Sequence, residues 1–147
     1  MLVAKLFVSY SRRDSVAARK LIDAFRAIDQ QVWVDWESIP PAVDWLEQIF
    51  RGIEEADAFI FLISPDSIVS EVCKVEVGRA AQNNKRIIPV VVRDVNPKDT
   101  LESIRKLNWT FLRETMDFTV WKRDVQGSLR KFARASIRTL RERSARL

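Results

Sequence analysis

Histidine is absent from the 147-residue chain. That absence removes the serine–histidine and cysteine–histidine triads, the HExxH zinc helix and the Cys2His2 finger, because each needs an imidazole. Glycine is almost as scarce: Gly52, Gly78 and Gly127 each stand alone, so neither a Walker-type phosphate loop nor a GxGxxG turn can be written anywhere. The single cysteine, Cys73, allows no internal disulfide and no thiolate metal cluster, which suits a reducing, cytoplasmic setting. No apolar run approaches the roughly 18 residues of a membrane span; the longest, 58–63 and 87–92, are strand-sized. The opening stretch from Met1 is interrupted by Lys5 and has no small-residue cleavage site, unlike a secretory signal.

What is present is the composition of a folded domain: 47% hydrophobic and 31% charged residues in a length suited to one core. The net charge of +5 is unevenly placed. Residues 122–147 hold nine Lys or Arg against Asp124 and Glu142, a net of +7, so the first 121 residues carry −2. The globular part has no basic face, so a nucleic-acid reader would have to use the tail as its reading element, and nucleic acid is disfavoured as a partner. The basic tail has an apolar stripe of its own, Val125, Leu129, Phe132, Ile137 and Leu140, which reads as a last helix packing on the domain with solvated arginines. With no capping Gly or Pro before Leu147 the helix is expected to run on. The chain therefore divides into a domain over 1–135 and a basic helical extension over 136–147, leading toward a further domain.

The order of elements follows from periodicity. Lys5–Ser9, Gln31–Asp35 and Asp57–Ser64 are continuous apolar runs ending in polar residues, as in strands buried on both faces; Arg86–Val92 and Leu107–Leu112 supply a fourth and a fifth. Helical spacing fills the gaps. Ser15–Asp29 carries Val16, Leu21, Ile22 and Phe25; Asp44–Glu55 carries Trp45, Ile49 and Ile53; Asp66–Asn83 carries Cys73, Val77, Ala80 and Ala81. Strand–helix alternation without hairpin turns predicts an α/β fold, a flavodoxin-like five-stranded parallel sheet in the order 2-1-3-4-5 with helices on both faces. Pro89 argues against a central place for the fourth strand, since proline cannot donate to a ladder.

In that order a ligand crevice is expected where the strand order switches, at the carboxyl ends of the first and third strands, Ser9–Arg13 and Ser64–Asp66. A two-component receiver shares the fold but needs acidic residues after the first strand and an aspartate ending the third. Here Tyr10-Ser11-Arg12-Arg13 and Ser64-Pro65 stand there instead. Glu76, on the helix after the third strand, is the carboxylate that a helix could aim at the crevice. Its neighbours Cys73 and Val77 place it at the edge of the buried stripe, where it is either partly desolvated and functional or solvated and paired with Arg79 at i+3. At such an edge its replacement should cost the fold little.

Four segments, Leu6-Phe-Val-Ser-Tyr10, Val32-Trp-Val-Asp35 with Ile39-Pro40 and Asp44-Trp45, Phe61-Leu-Ile-Ser-Pro65, and Ser70-Glu-Val-Cys-Lys-Val-Glu76, resemble in content and order a TIR (Toll/interleukin-1 receptor) domain of the bacterial type. The resemblance covers about residues 4–135. It implies the flavodoxin-like fold and one of two functions in signalling or defence. One is an NAD+ glycohydrolase, activated by self-association, that cleaves NAD+ to nicotinamide and ADP-ribose or a cyclic isomer, with NAD+ as substrate and no separate cofactor. The other is a non-catalytic assembly module acting through TIR–TIR contacts.

For the enzymatic members the resemblance implies a catalytic glutamate in a C-x-x-E spacing, here Cys73 to Glu76. It implies substrate contacts from Phe7, Ser9, Tyr10, Arg12 and Arg13 at the end of the first strand, with Asp35, Trp36 and Cys73. It also implies an assembly loop after the second strand, with Ser38, Ile39, Pro40, Pro41, Asp44 and Trp45. Two positions depart from the family pattern. Pro41 stands where many members carry glycine, stiffening the loop. Val72 stands where several NAD-cleaving members carry tryptophan, which leaves Trp36 and Trp45 as the aromatics available for stacking.

Overall fold

The computed structural model describes residues 5–27, 30–33, 44–113 and 145. Strands β1 (Lys5–Ser9), β2 (Gln31–Trp33), β3 (Ala58–Ile63), β4 (Arg86–Val91) and β5 (Thr110–Phe111) alternate with helices α1 (Ser15–Arg26), α2 (Trp45–Glu55), α3 (Glu71–Gln82) and the single turn α4 (Glu102–Arg105). All five strands are parallel, in the order β2-β1-β3-β4-β5. The sheet order and fold class are those the periodicity predicts.

Alternation along the strands sorts the core into two layers. Leu6, Val8, Ile60, Leu62, Ile88 and Val90 face α1, whose Ala17, Ala18, Leu21, Ile22 and Phe25 seal an aliphatic face. Phe7, Phe59, Phe61, Ile63 and Val91 face α2, α3 and Ile104. This second face is aromatic: the Phe7 ring stacks 4.9 Å from Trp33 and 5.4 Å from Phe59. Arg79 ties its two helices together, pairing with Glu54 at 2.5 Å while its guanidinium lies 4.6 Å from the Phe50 ring centroid.

Several expected positions move. Val16 at 63% and Trp45 at 40% exposure lie outside the stripes assigned to them, and Ala81 is also exposed. The Asp66–Asn83 helix starts five residues late, at Glu71, because Ser64 and Ser67 close residues 65–69 into a turn and Ser70 caps the helix by accepting from the Cys73 N–H at 3.2 Å. The fifth strand shrinks to Thr110–Phe111. Trp109 is drawn instead toward the aromatic layer, its Nε1–H donating to the Ile104 carbonyl at 3.0 Å.

Pro89 does sit within β4, and the ladders explain why it is tolerated. The Val92 N–H donates to Ile63 on the β3 side, and the Val91 carbonyl accepts from Leu112 on the β5 side. By alternation Pro89 faces β5, whose pairing begins only at Val90, so the missing N–H leaves no ladder bond unmade. The tail stripe 125–140 and the extension 136–147 lie outside the described residues apart from residue 145.

Candidate functional site

The strand order reverses between β1 and β3, and their carboxyl ends carry an unusual density of buried polar groups. Ser9 ends β1 in register with Phe61, on the face that packs against α3. Its Oγ–H donates to Glu76 Oε1 at 3.1 Å across 67 residues of sequence. Glu76 itself is only 4% exposed. The expectation of an edge carboxylate is thus corrected: the Ser70 cap sets the phase of α3 so that Glu76 points inward. Arg79 pairs with Glu54. Replacement by alanine would leave the Ser9 hydroxyl buried without its acceptor, so it costs more than an edge position would.

Cys73, one turn before Glu76, is buried. Burial pushes its thiol up to about 11, with the Glu76 charge adding to the effect and hydrogen bonds involving Ser70 and Ser9 opposing it. In the folded state the thiol is thus held in its protonated, weakly nucleophilic form. It serves as an apolar neighbour of the carboxylate.

A second polar cluster closes the same end of the sheet. Asp14, in the 3-10 turn Arg12–Asp14 after β1, is 1% exposed. It accepts from Ser64 Oγ at 2.5 Å and from Arg93 Nε at 2.8 Å. The other arm of Arg93 pairs with Asp66, and Arg13 lies 3.6 Å from the same carboxylate. The hydrogen bond from Arg93, with the charges of Arg93 and Arg13, holds the Asp66 carboxyl below its usual range against the opposing effect of burial. Arg93 is correspondingly held above its own.

The residues singled out in the sequence separate into groups. Ser9, Cys73 and Glu76 come together. Tyr10 is half-buried against the aliphatic layer, and Arg12 and Arg13 are exposed on the adjoining turn. Phe7 is 1% exposed and stacked in the aromatic layer, beneath the crevice. Asp44 caps α2, accepting from the Leu46 and Glu47 N–H groups. Trp45 opens that helix at the surface, where it anchors no core. Beside it a groove of about 510 Å³ runs between α2 and α3, lined in part by Asp44, Phe50, Glu54 and Arg79. Asp35, Trp36, Ser38, Ile39, Pro40 and Pro41 lie outside the described residues.

Asp14 and Arg93 were missed. In sequence Asp14 reads as a helix cap and Arg93 as a solvated residue after a strand. Asp14 directly follows the Ser9–Arg13 stretch expected to line the crevice, whereas Arg93 follows the fourth strand, which carries no such expectation.

An all-parallel 2-1-3-4-5 sheet with a buried serine–glutamate pair at its switch point defines an α/β domain of the flavodoxin type with a candidate ligand site. A model described as TIR domain matches residues 6–126, and the chain belongs to that family. Solved structures agree in fold. The TIR domain of the Toll-related receptor TRR-2 from Hydra magnipapillata superposes with a TM-score of 0.69 at 17% identity, covering 85% of this chain and 97% of that one. The TIR domains of the activated Roq1 resistosome, which directly recognises the pathogen effector XopQ, give 0.72 at 14% identity, covering 88% and 99%. The CMP N-glycosidase BcmB of Clostridium botulinum gives 0.56 at 17%, covering 88% and 98%. No curated protein matches the chain. Among the described residues no helix is long and apolar enough to cross a membrane.

Proposed function

We propose that this TIR domain is an NAD+ glycohydrolase that cleaves the bond between the ribose C1′ and the nicotinamide nitrogen, with Glu76 as the catalytic carboxylate. The observation that carries the reading is the buried Glu76 bonded to Ser9 at the strand switch point. The bond's electron pair returns to the pyridinium nitrogen, so nicotinamide leaves neutral and positive charge develops on the ribose. A carboxylate held in a water-poor pocket stabilises that oxocarbenium-like state or engages the ribose hydroxyls. Water then attacks C1′ and loses a proton, giving ADP-ribose; attack from within the adenosine moiety gives a cyclic isomer. Similarity to a CMP N-glycosidase, an enzyme named for cleaving an N-glycosidic bond in a nucleotide, supports the reaction class. The exposed Arg12 and Arg13 are suited to the pyrophosphate.

Self-association is the second half of the proposal. With Glu76 only 4% exposed, substrate access needs the crevice to open, and a neighbouring copy would supply the differential binding that favours the open form. Similarity to the TIR domains of a resistosome supports assembly. Incubation with NAD+ over a wide range of protein concentration tests both halves: nicotinamide release should appear and its specific rate should rise with concentration. A folded protein that releases none at any concentration would favour the non-catalytic assembly module.

A further inference from the structure

We propose that Asp14 is the positioning residue of the Glu76 site, its buried carboxylate fixing both partners of the Ser9–Glu76 hydrogen bond through the ends of β1 and β3. The inference rests on the NAD+-cleaving reading and adds a residue to it. Asp14 lies five positions after Ser9, and its side chain is fully buried. The turn between them closes on itself, with the Asp14 N–H donating to the Ser11 carbonyl at 2.8 Å. Where Asp14 docks therefore sets where β1 ends.

On the other side Asp14 accepts from Ser64, the first residue after β3. Ser64 and Ser67 exchange hydrogen bonds, N–H to Oγ, at 2.9 and 3.0 Å. The Ser70 N–H donates to the Ser67 carbonyl at 3.2 Å, and the Ser70 hydroxyl caps α3 at Cys73, one turn before Glu76. A continuous path of hydrogen bonds thus runs from Asp14 to the helix that carries the carboxylate. Arg93, at the end of β4, anchors the node by bridging Asp14 and Asp66. Burying an ion pair adds little net stability compared with apolar packing, but it specifies geometry, since each fork and lone pair accepts one arrangement. Such expense on a single turn fits a site whose atoms must be held to fractions of an ångström.

The test uses the full chain with two variants, Asp14→Asn, which keeps the size and removes the charge, and Arg93→Lys, which keeps the charge and removes the planar fork. Two quantities are read per folded molecule, with the folded fraction measured by circular dichroism: kcat and KM for NAD+, and the rate at which an aromatic disulfide modifies Cys73, the chain's sole thiol. Asp14→Asn should lower kcat by about tenfold or more with KM within about twofold, because correct placement matters more in the transition state than in binding. Cys73 should react about tenfold faster as the start of α3 loosens, and Arg93→Lys should fall between that variant and the parent in both. If Asp14→Asn does not fold, Ser64→Ala, which removes one hydroxyl from the path, is read in the same way. A folded variant with unchanged kcat and unchanged Cys73 reactivity overturns the proposal, as does a rise in KM alone. A parent protein that releases no nicotinamide refutes the NAD+ reading separately, and equal Cys73 rates in parent and variant would then overturn the role of Asp14.

Discussion

The two ends of the same sheet are built on different terms. At its amino end β1 is tied to the start of β3 by one reciprocal pair, the Lys5 N–H donating to the Asp57 carboxylate at 2.8 Å and the Asp57 N–H to the Lys5 carbonyl at 2.7 Å. Around it Lys85 Nζ donates to the Glu54 and Ala56 carbonyls at 2.6 and 2.9 Å, Gln30 and Asp57 are buried, and Trp33 is laid against Gly52. The carboxyl end instead holds Ser9, Asp14, Ser64, Ser67 and Glu76, five of the eight buried polar side chains among the described residues. Polar groups resist burial unless each finds partners. The larger share of buried polar groups at the carboxyl end supports the proposed site there, while the amino end holds the strands together.

The largest expected effect breaks the layer that both ends share. Phe59 is fully buried in mid-sheet against Phe7, and Phe59→Ala should lower unfolding free energy by about 3–5 kcal/mol, read from the denaturant midpoint. A smaller effect separates the ends. A Cβ at Gly52 would stand 2.8 Å from the Trp33 ring, so Gly52→Ala should cost about 1–3 kcal/mol through overpacking. Nicotinamide release per folded molecule should nevertheless be unchanged; a loss of turnover there would erase the contrast.

The smallest effect is alkaline and belongs to the carboxyl end. The folded Cys73 thiol titrates at about 11 against an ordinary 9.0, so the folded state favours the protonated form. Its contribution is intact below pH 9 and is lost as pH rises toward 11. Between those values the parent should lose about 1–2 kcal/mol more stability than Cys73→Ala, measured by denaturant unfolding at each pH. Parallel pH profiles would mean that the thiol is not held in a dry site.

The same contrast explains what could be read from the sequence. β1, β3 and β4 are legible as apolar runs because burial on both faces leaves no room for polar alternation, and their order follows from strand–helix alternation. Val16 and Trp45 mislead because each fits its helix's apolar spacing while sitting in the first turn, beyond the layer the helix covers. The late start of α3 was hidden because Ser64–Ser67 turn bonds compete locally with helix. At the site, Ser9 and Glu76 are legible through strand ends and the spacing from Cys73 to Glu76. The Asp14–Arg93 contact is not, since it joins residues 79 apart through side chains that each have an ordinary local reading.

The contrast is tested most directly by nicotinamide release from NAD+ by the parent and Glu76→Gln, run at matched folded fraction and at the highest protein concentration attainable. Glutamine keeps an acceptor for the Ser9 hydroxyl while removing the charge, so the variant should unfold within about 1 kcal/mol of the parent and release no measurable nicotinamide. Turnover retained by a folded Glu76→Gln variant would contradict the assignment of chemistry to the carboxyl end of the sheet.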